Sequence, residues 1–259
     1  MIKAVLFDMD DTLLSINLTA FIASYVSRKA RLLAEVSSSS VVSMGMPFAR
    51  SYLAISSDSR QDSLTNEQLF NETFLTETGI PLDDPVIADA VDCFDAEVTP
   101  TLNGRTVHAV PRRGGRKAVE AARKLGLTVA LATNPSFSEA CVRARMGWAD
   151  VEDVPFARIS HMANSTRMKP DARYYEEFVS ALGLSCEECL MVGNDATRDF
   201  PRPDCGLVTA YVGHARPKRA IWRGDMERLS RDLPFLIDRL DGDRSRGMPD
   251  DWAEPGSSD

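Results

Sequence analysis

Histidine is scarce in this chain: His108, His161 and His214 are the three among 259 residues, and they stand apart. None has ligand spacing to a second histidine, so a histidine-built metal centre has no support. No G-x-S-x-G occurs, which leaves a Ser-His-Asp hydrolase without its usual turn. Long basic runs are also missing. Thirty basic against thirty-eight acidic side chains give a formal charge of −8, which argues against a nucleic-acid or anionic-membrane binder. A local basic patch stays open on these counts. The N-terminal MIKAVLFDMDD reaches carboxylates after a short apolar run, too short for a signal peptide or a membrane span. Five cysteines (Cys93, Cys141, Cys186, Cys189 and Cys205) make an odd number with no export signal. Reduced thiols in a cytoplasmic protein are the expectation.

What is present is ordinary for a globular chain: 44% hydrophobic and 26% charged residues. At ~100–200 residues per domain, the length allows one large domain or one domain carrying an insertion. Short all-apolar runs occur at Ala4–Phe7, Thr128–Ala132, Leu190–Val192 and Leu207–Val212. Such runs read as strands covered on both faces, as in a parallel sheet. Helical patterns lie between them at 116–125, closed by Gly126, and at 171–182, with Pro170 ahead and Gly183 behind. Alternating strands and helices predict a doubly wound α/β sheet. Residues 17–98 break the rhythm with helical stretches only: Leu18–Val36, Val41–Ile55, Asn66–Thr78 and Pro85–Val98. Thr65 and Gln68 have the form of a capping box. This block reads as a lid, hinged near Leu14–Asn17 and Leu102–His108. The polar, turn-rich stretch 241–259 reads as a mobile tail.

The chemistry gathers at strand ends. In Asp8-Met9-Asp10-Asp11-Thr12, residues two apart point the same way in an extended strand end, so Asp8 and Asp10 face one site. Open α/β sheets bind ligands outside the carboxyl ends of their strands. Two such carboxylates repel unless a cation or proton separates them, and magnesium, with its hard oxygen shell, suits that place. A solvated acidic turn is the bland alternative. Thr133 and Asn134 follow a second strand and could bind phosphate oxygens, or simply form a capped strand-to-helix turn. Lys169, before Pro170-Asp171, could meet both a carboxylate and a phosphate, or be a surface charge. In Met191–Asp199, Asp195 is the natural addition to a magnesium site. Asp199, four residues on, shares its face if a helix begins there, and could bind the ion through water or orient Lys169.

Taken in order, LFDMDDTLL, LATN, KPD and MVGNDATRD resemble the four motifs of the haloacid dehalogenase superfamily of hydrolases, over about residues 1–240. The resemblance implies a Rossmann-like α/β core of residues 1–16 and 105–240. Residues 17–104 are similar to the helical cap that many members insert after the first motif. By that resemblance Asp8 is the nucleophile and Asp10 the general acid/base. Thr133 and Lys169 bind the phosphoryl group, and magnesium is held by Asp8, the Asp10 carbonyl and Asp195. Asn194 departs from the pattern, standing where many members have an acid. The expectation is a phosphatase of a small phosphorylated metabolite, working through an aspartyl phosphate. Three alternatives stand beside it. A dehalogenase is disfavoured because such members lack the second aspartate. A phosphomutase keeps both. A catalytically silent binder would have lost a motif residue, and none is lost.

Two weaker features complete the reading. Cys186-Glu187-Glu188-Cys189 lacks a second pair and runs into a strand, so a structural turn capped by Ser185 and Glu188 is expected. Arg28-Lys29-Ala30-Arg31 reads as a solvated helix face, with attraction of an anionic substrate as the alternative. No pattern in 17–104 translates into a particular substrate.

Overall fold

The computed structural model describes residues 1–104 and 107–243. Its centre is an all-parallel five-stranded sheet built from β1 (Ala4–Phe7), β4 (Thr128–Leu131), β5 (Cys189–Gly193), β6 (Val208–Val212) and β7 (Ala220–Gly224), in the order β4-β1-β5-β6-β7. The continuous apolar runs are explained by two hydrophobic layers. Along β1, Val5 and Phe7 face one core with Val129, Leu131, Leu190 and Val192. Ala4 and Leu6 face the other with Ala130, Cys189 and Met191. Each strand therefore alternates sides and is apolar on both.

Helices close both faces. On the first lie α5 (Gly115–Lys124), α6 (Glu139–Trp148) and α8 (Met226–Asp243), burying Val119, Val142, Met146 and Leu233 among others. On the second, α7 (Ala172–Ser180) buries Tyr174, Tyr175, Phe178 and Val179. Burying side chains of that size stabilises by about 1.5–3 kcal/mol each. Asp171 caps α7 by accepting from Arg173 N, and Gly183 takes φ 72° beyond its end. The doubly wound architecture is as expected. The strand β7 and the helices α6 and α8 are additions to the sequence reading.

Between β2 (Leu14–Ile16) and β3 (Ala109–Pro111) the chain makes the helices α1 (Leu18–Val36), α2 (Gly45–Ile55), α3 (Asn66–Thr78) and α4 (Pro85–Cys93). Thr65 and Gln68 do form the capping box of α3. This block has its own core around Leu33, Phe48, Phe74 and Ile87. The block also packs on the rest of the chain: Phe21, Tyr25, Phe94 and Leu102 belong to the main hydrophobic core. β2 and β3 pair antiparallel, so the returning strand lies beyond the Leu102–His108 segment expected to carry it. Lys29 also departs from expectation. Its ammonium is drawn inward to Asp95, 3.0 Å away, and Asp95 also accepts from Tyr25 and Ser138.

Helix α8 runs through Asp243, three residues into the stretch read as a tail; the rest of that stretch, 244–259, lies outside the described residues. Cys186 sits in a short turn capped by Ser185 and Glu188, the structural role expected of it. Among the described residues no helix is long and apolar enough to cross a membrane.

Candidate active site

The site grows from the end of β1. Asp8 extends that strand, its N–H donating to Val192 O at 2.9 Å. The chain then turns tightly, with Leu13 and Leu14 donating to Met9 O, and Asp11 adopts φ 56°. Aspartate tolerates that left-handed conformation better than most side chains. The turn keeps Asp8 and Asp10 at one end of the sheet and folds Thr12 back over Asp8. Thr12 Oγ1 lies 3.1 Å from Asp8 Oδ2 and 3.0 Å from Asn194 Oδ1. A hydroxyl carries one proton, so Thr12 donates to one of these two acceptors at a time.

Lys169 is the electrostatic centre. Its ammonium donates to Asp8 Oδ1 at 2.8 Å and to Asp199 Oδ1 at 2.7 Å, and its side chain is only 1% exposed. Asp199 is fixed in turn, its other oxygen accepting from Asp195 N at 2.9 Å. Burial opposes the charge on Lys169, yet Asp199 and Asp8 hold its ammonium well above the ordinary lysine range. Burial also pushes the Asp8 carboxyl up to about 7, with Asp199 and Asp10 adding to that and Lys169 pulling against it. One ammonium between two buried carboxylates leaves a negative excess, the condition under which a carboxylate gains from a further cation.

Two loops bring the remaining residues. Thr133 is buried beyond β4, where its carbonyl accepts from Ser160 Oγ and Tyr174 OH. Asn134 Oδ1 accepts from Lys169 N at 3.2 Å, so this amide joins the two loops. Asp195 is engaged within its own turn. It accepts from Thr197 N at 2.8 Å and Thr197 Oγ1 at 2.6 Å, and Arg198 approaches its other oxygen. No helix begins at Asp195: residues 196–198 form a turn, and Asp199 reaches Lys169 by that route. Of the two roles expected of Asp199, the contact made is the one that orients Lys169. No group of three His, Cys, Asp or Glu side chains is clustered as for a metal among the described residues. Lys169 thus joins Asp8 and Asp199, with Asp10 near enough to act on the Asp8 carboxyl, while the Asp195 carboxylate serves its own turn.

Sequence reasoning missed two contributors. Arg145 of α6, buried, pairs with Asp10 Oδ2. Its signal was a charged residue on the buried face formed with Cys141, Val142 and Met146. Asn66, at the start of α3, donates to Pro135 O at 3.0 Å and Arg167 O at 3.2 Å, and accepts from Arg60 Nη1 at 2.6 Å. A residue of the helical block therefore holds both loops that carry Thr133 and Lys169.

Residues 2–201 match the family described as haloacid dehalogenase-like hydrolase. Among solved structures, the chain is similar to an HAD phosphatase from Thermococcus onnurineus at 17% identity, covering 91% of this chain and 98% of that one, with a TM-score of 0.53. It is also similar to a β-phosphoglucomutase from Clostridium difficile at 14% identity, covering 95% of this chain and 100% of that one, with a TM-score of 0.54. At these identities the likeness is one of fold. No curated protein matches the chain.

Proposed function

Since the chain belongs to the haloacid dehalogenase-like hydrolases, we propose that it is a magnesium-dependent phosphatase of a small phosphorylated metabolite. The observation that carries this reading is the buried Asp8, held by Lys169 at 2.8 Å with Asp10 two residues on. A carboxylate fixed at a strand end, beside a permanent ammonium and a second carboxyl, is equipped to attack phosphorus. The donors are hard oxygens, and the negative excess around Asp8 fits a divalent cation. Magnesium would be held by Asp8, the Asp10 carbonyl and Asp195, once Asp195 releases Thr197. When bound it supplies charge neutralisation between the carboxylate and the phosphoryl group.

Asp8 attacks phosphorus, and the bond to the leaving oxygen breaks while Asp10 gives that oxygen its proton. Lys169 and the Thr133 hydroxyl orient the phosphoryl oxygens. Water then attacks the aspartyl phosphate and yields its proton to Asp10, releasing phosphate and restoring Asp8. Residues 17–104 act as the cap that covers the site and meets the leaving group. The five free thiols fit a reducing, cytoplasmic setting.

Rapid-quench kinetics with p-nitrophenyl phosphate and magnesium test the assignment. Asp8→Asn should give no nitrophenol, because an amide cannot form the intermediate. Asp10→Asn should release about one equivalent per site and then stall, because nitrophenolate leaves unprotonated while hydrolysis of the intermediate still needs the base. A burst from Asp8→Asn, or wild-type steady turnover by Asp10→Asn, would overturn the roles. Phosphate appearing on a second hydroxyl of an added sugar phosphate, instead of in solution, would mark a phosphomutase.

A further inference from the structure

Building on the reading of Asp10 as general acid/base, we propose that Arg145 is its positioning residue. The guanidinium holds Oδ2 and thereby reserves Oδ1 as the oxygen that carries the proton. Arg145 lies on the buried face of α6 between Cys141, Val142 and Met146, where an unpaired charge would be costly. Its only counter-ion contact is Asp10 among the described residues. Two rings fix the plane of the group: Phe21 with its centroid 5.1 Å from Cζ, and Phe137 at 5.2 Å.

The pairing is half of what an arginine can make. Nε–H and one Nη2–H project from the same edge of a guanidinium, the edge that takes both oxygens of a carboxylate at once. Here Nη2 meets Oδ2, while Asp10 Oδ1 and Arg145 Nε are both buried and without a hydrogen-bond partner among the described residues. A static ion pair would close that second bond, because a buried donor and acceptor left unmade are both unfavourable. The unmade bond instead leaves Oδ1 without a protein partner among the described residues, so a substrate oxygen or water that enters the site can complete it. In the first half-reaction the completing atom is the leaving oxygen, which takes the proton from Oδ1 as its bond to phosphorus breaks. In the second it is the attacking water, which returns a proton to Oδ1 as its oxygen bonds to phosphorus. Phe21 belongs to α1, so the helical block takes part in aiming Asp10.

The test compares two substrates of similar shape, phenyl phosphate and p-nitrophenyl phosphate, in single-turnover formation of the aspartyl phosphate. Phenolate needs a proton to leave and nitrophenolate does not. Arg145→Met should slow the phenyl reaction at least about tenfold more than the nitrophenyl one, within the ~10²–10⁴-fold that acid catalysis supplies, with KM changed less than twofold. Arg145→Lys should recover part of the difference. Phe137→Leu keeps both charges and loosens only the ring contact, so it should show the same pattern more weakly, and it decides the matter if Arg145→Met does not fold. Equal slowing of both substrates in Arg145→Met, or an unmoved ratio in Phe137→Leu, overturns the positioning role. Asp10→Asn separates this from the underlying reading. If it moves the ratio and Arg145→Met does not, only the positioning claim fails; if it leaves the ratio unmoved, Asp10 is not the acid.

Discussion

Replacing Lys169 by methionine keeps an unbranched chain one atom shorter and removes the charge that separates Asp8 from Asp199. The side chains left facing one another are 11% and 2% exposed, so solvent cannot take over the ammonium's part. Removing one partner from a buried ionic cluster costs about 3–5 kcal/mol, because it strands uncompensated charge. At 2–4 °C per kcal/mol for chains of this size, that is a fall in Tm of roughly 6–20 °C. The loss should depend on pH in a set direction. Asp8 already sits at about 7 with Lys169 in place, above its ordinary value. A raised folded-state pKa contributes stability at low pH and loses it as pH rises through the folded value. Without Lys169 the carboxyl rises further, so the variant can neutralise itself at pH 6 but less readily at pH 8. Urea unfolding of the metal-free protein should therefore show a larger deficit at pH 8 than at pH 6. Adding Asp199→Asn to Lys169→Met should recover about 1–3 kcal/mol in a double-mutant cycle. A variant as stable as wild type at pH 8, or strictly additive effects in the cycle, would refute the account of Lys169 as the charge that holds the site together.

Three further outcomes follow from the same geometry. At Gly193 an added Cβ would overlap the Asp199 carboxyl, whose oxygens are both engaged by Lys169 Nζ and Asp195 N. Gly193→Ala should lose about 1–3 kcal/mol in denaturant unfolding along with most of its turnover, whereas Gly45→Ala, with open space around its Cα, should be neutral or slightly stabilising. Magnesium must displace a proton from Asp8 below pH 7, so its affinity by calorimetry should weaken about tenfold per pH unit there; a constant affinity from pH 5.5 to 7.5 would remove Asp8 from the metal site. Asn66→Ala strands the carbonyls of Pro135 and Arg167 and a buried donor of Arg60, at about 1–3 kcal/mol for each unsatisfied group. Amide exchange should quicken at 133–136 and 165–169, and kcat should fall with no change in leaving-group preference.

Where the sequence was readable, the reason is local. β1, β4, β5 and β6 could be found because strands buried on both faces are apolar throughout, and in the inserted block α1, α3 and α4 start on the caps Asn17, Thr65 and Asp84. β7 escaped because it is an edge strand, half-exposed, with Arg223 in its run. β2 and β3 are three residues each and pair only with one another. α6 hides its period behind Arg143, Arg145 and Gly147, and α8 carries Pro234 inside it. At the candidate site, Asp8, Asp10 and Thr133 could be singled out because they follow strands, and Lys169 because it stands just ahead of α7, in a fixed order. Arg145 was not, since it meets Asp10 across 135 residues of chain and such a pair leaves no local pattern. Whether a helix begins at Asp195 was left open by the sequence, and the carboxyl of Asp199, by accepting from Asp195 N, satisfies the backbone in a turn.

The hydrogen bonds of Asn66 bear on how this chain can be re-engineered or can diverge. The inserted block is spliced between two short strands, an arrangement that invites exchange of one block for another to graft a new specificity. Here such a cassette would remove the group that ties Pro135 to Arg167, and with it the spacing of the loops bearing Thr133 and Lys169. A chimera that joins a foreign block at β2 and β3 alone should fold and yet be slow. One that also transplants Arg60 to Asn66, matched to a host carrying the 133–136 and 165–169 loops of this chain, should keep its pace. The heritable unit in this protein is therefore the block together with the two loops it fastens.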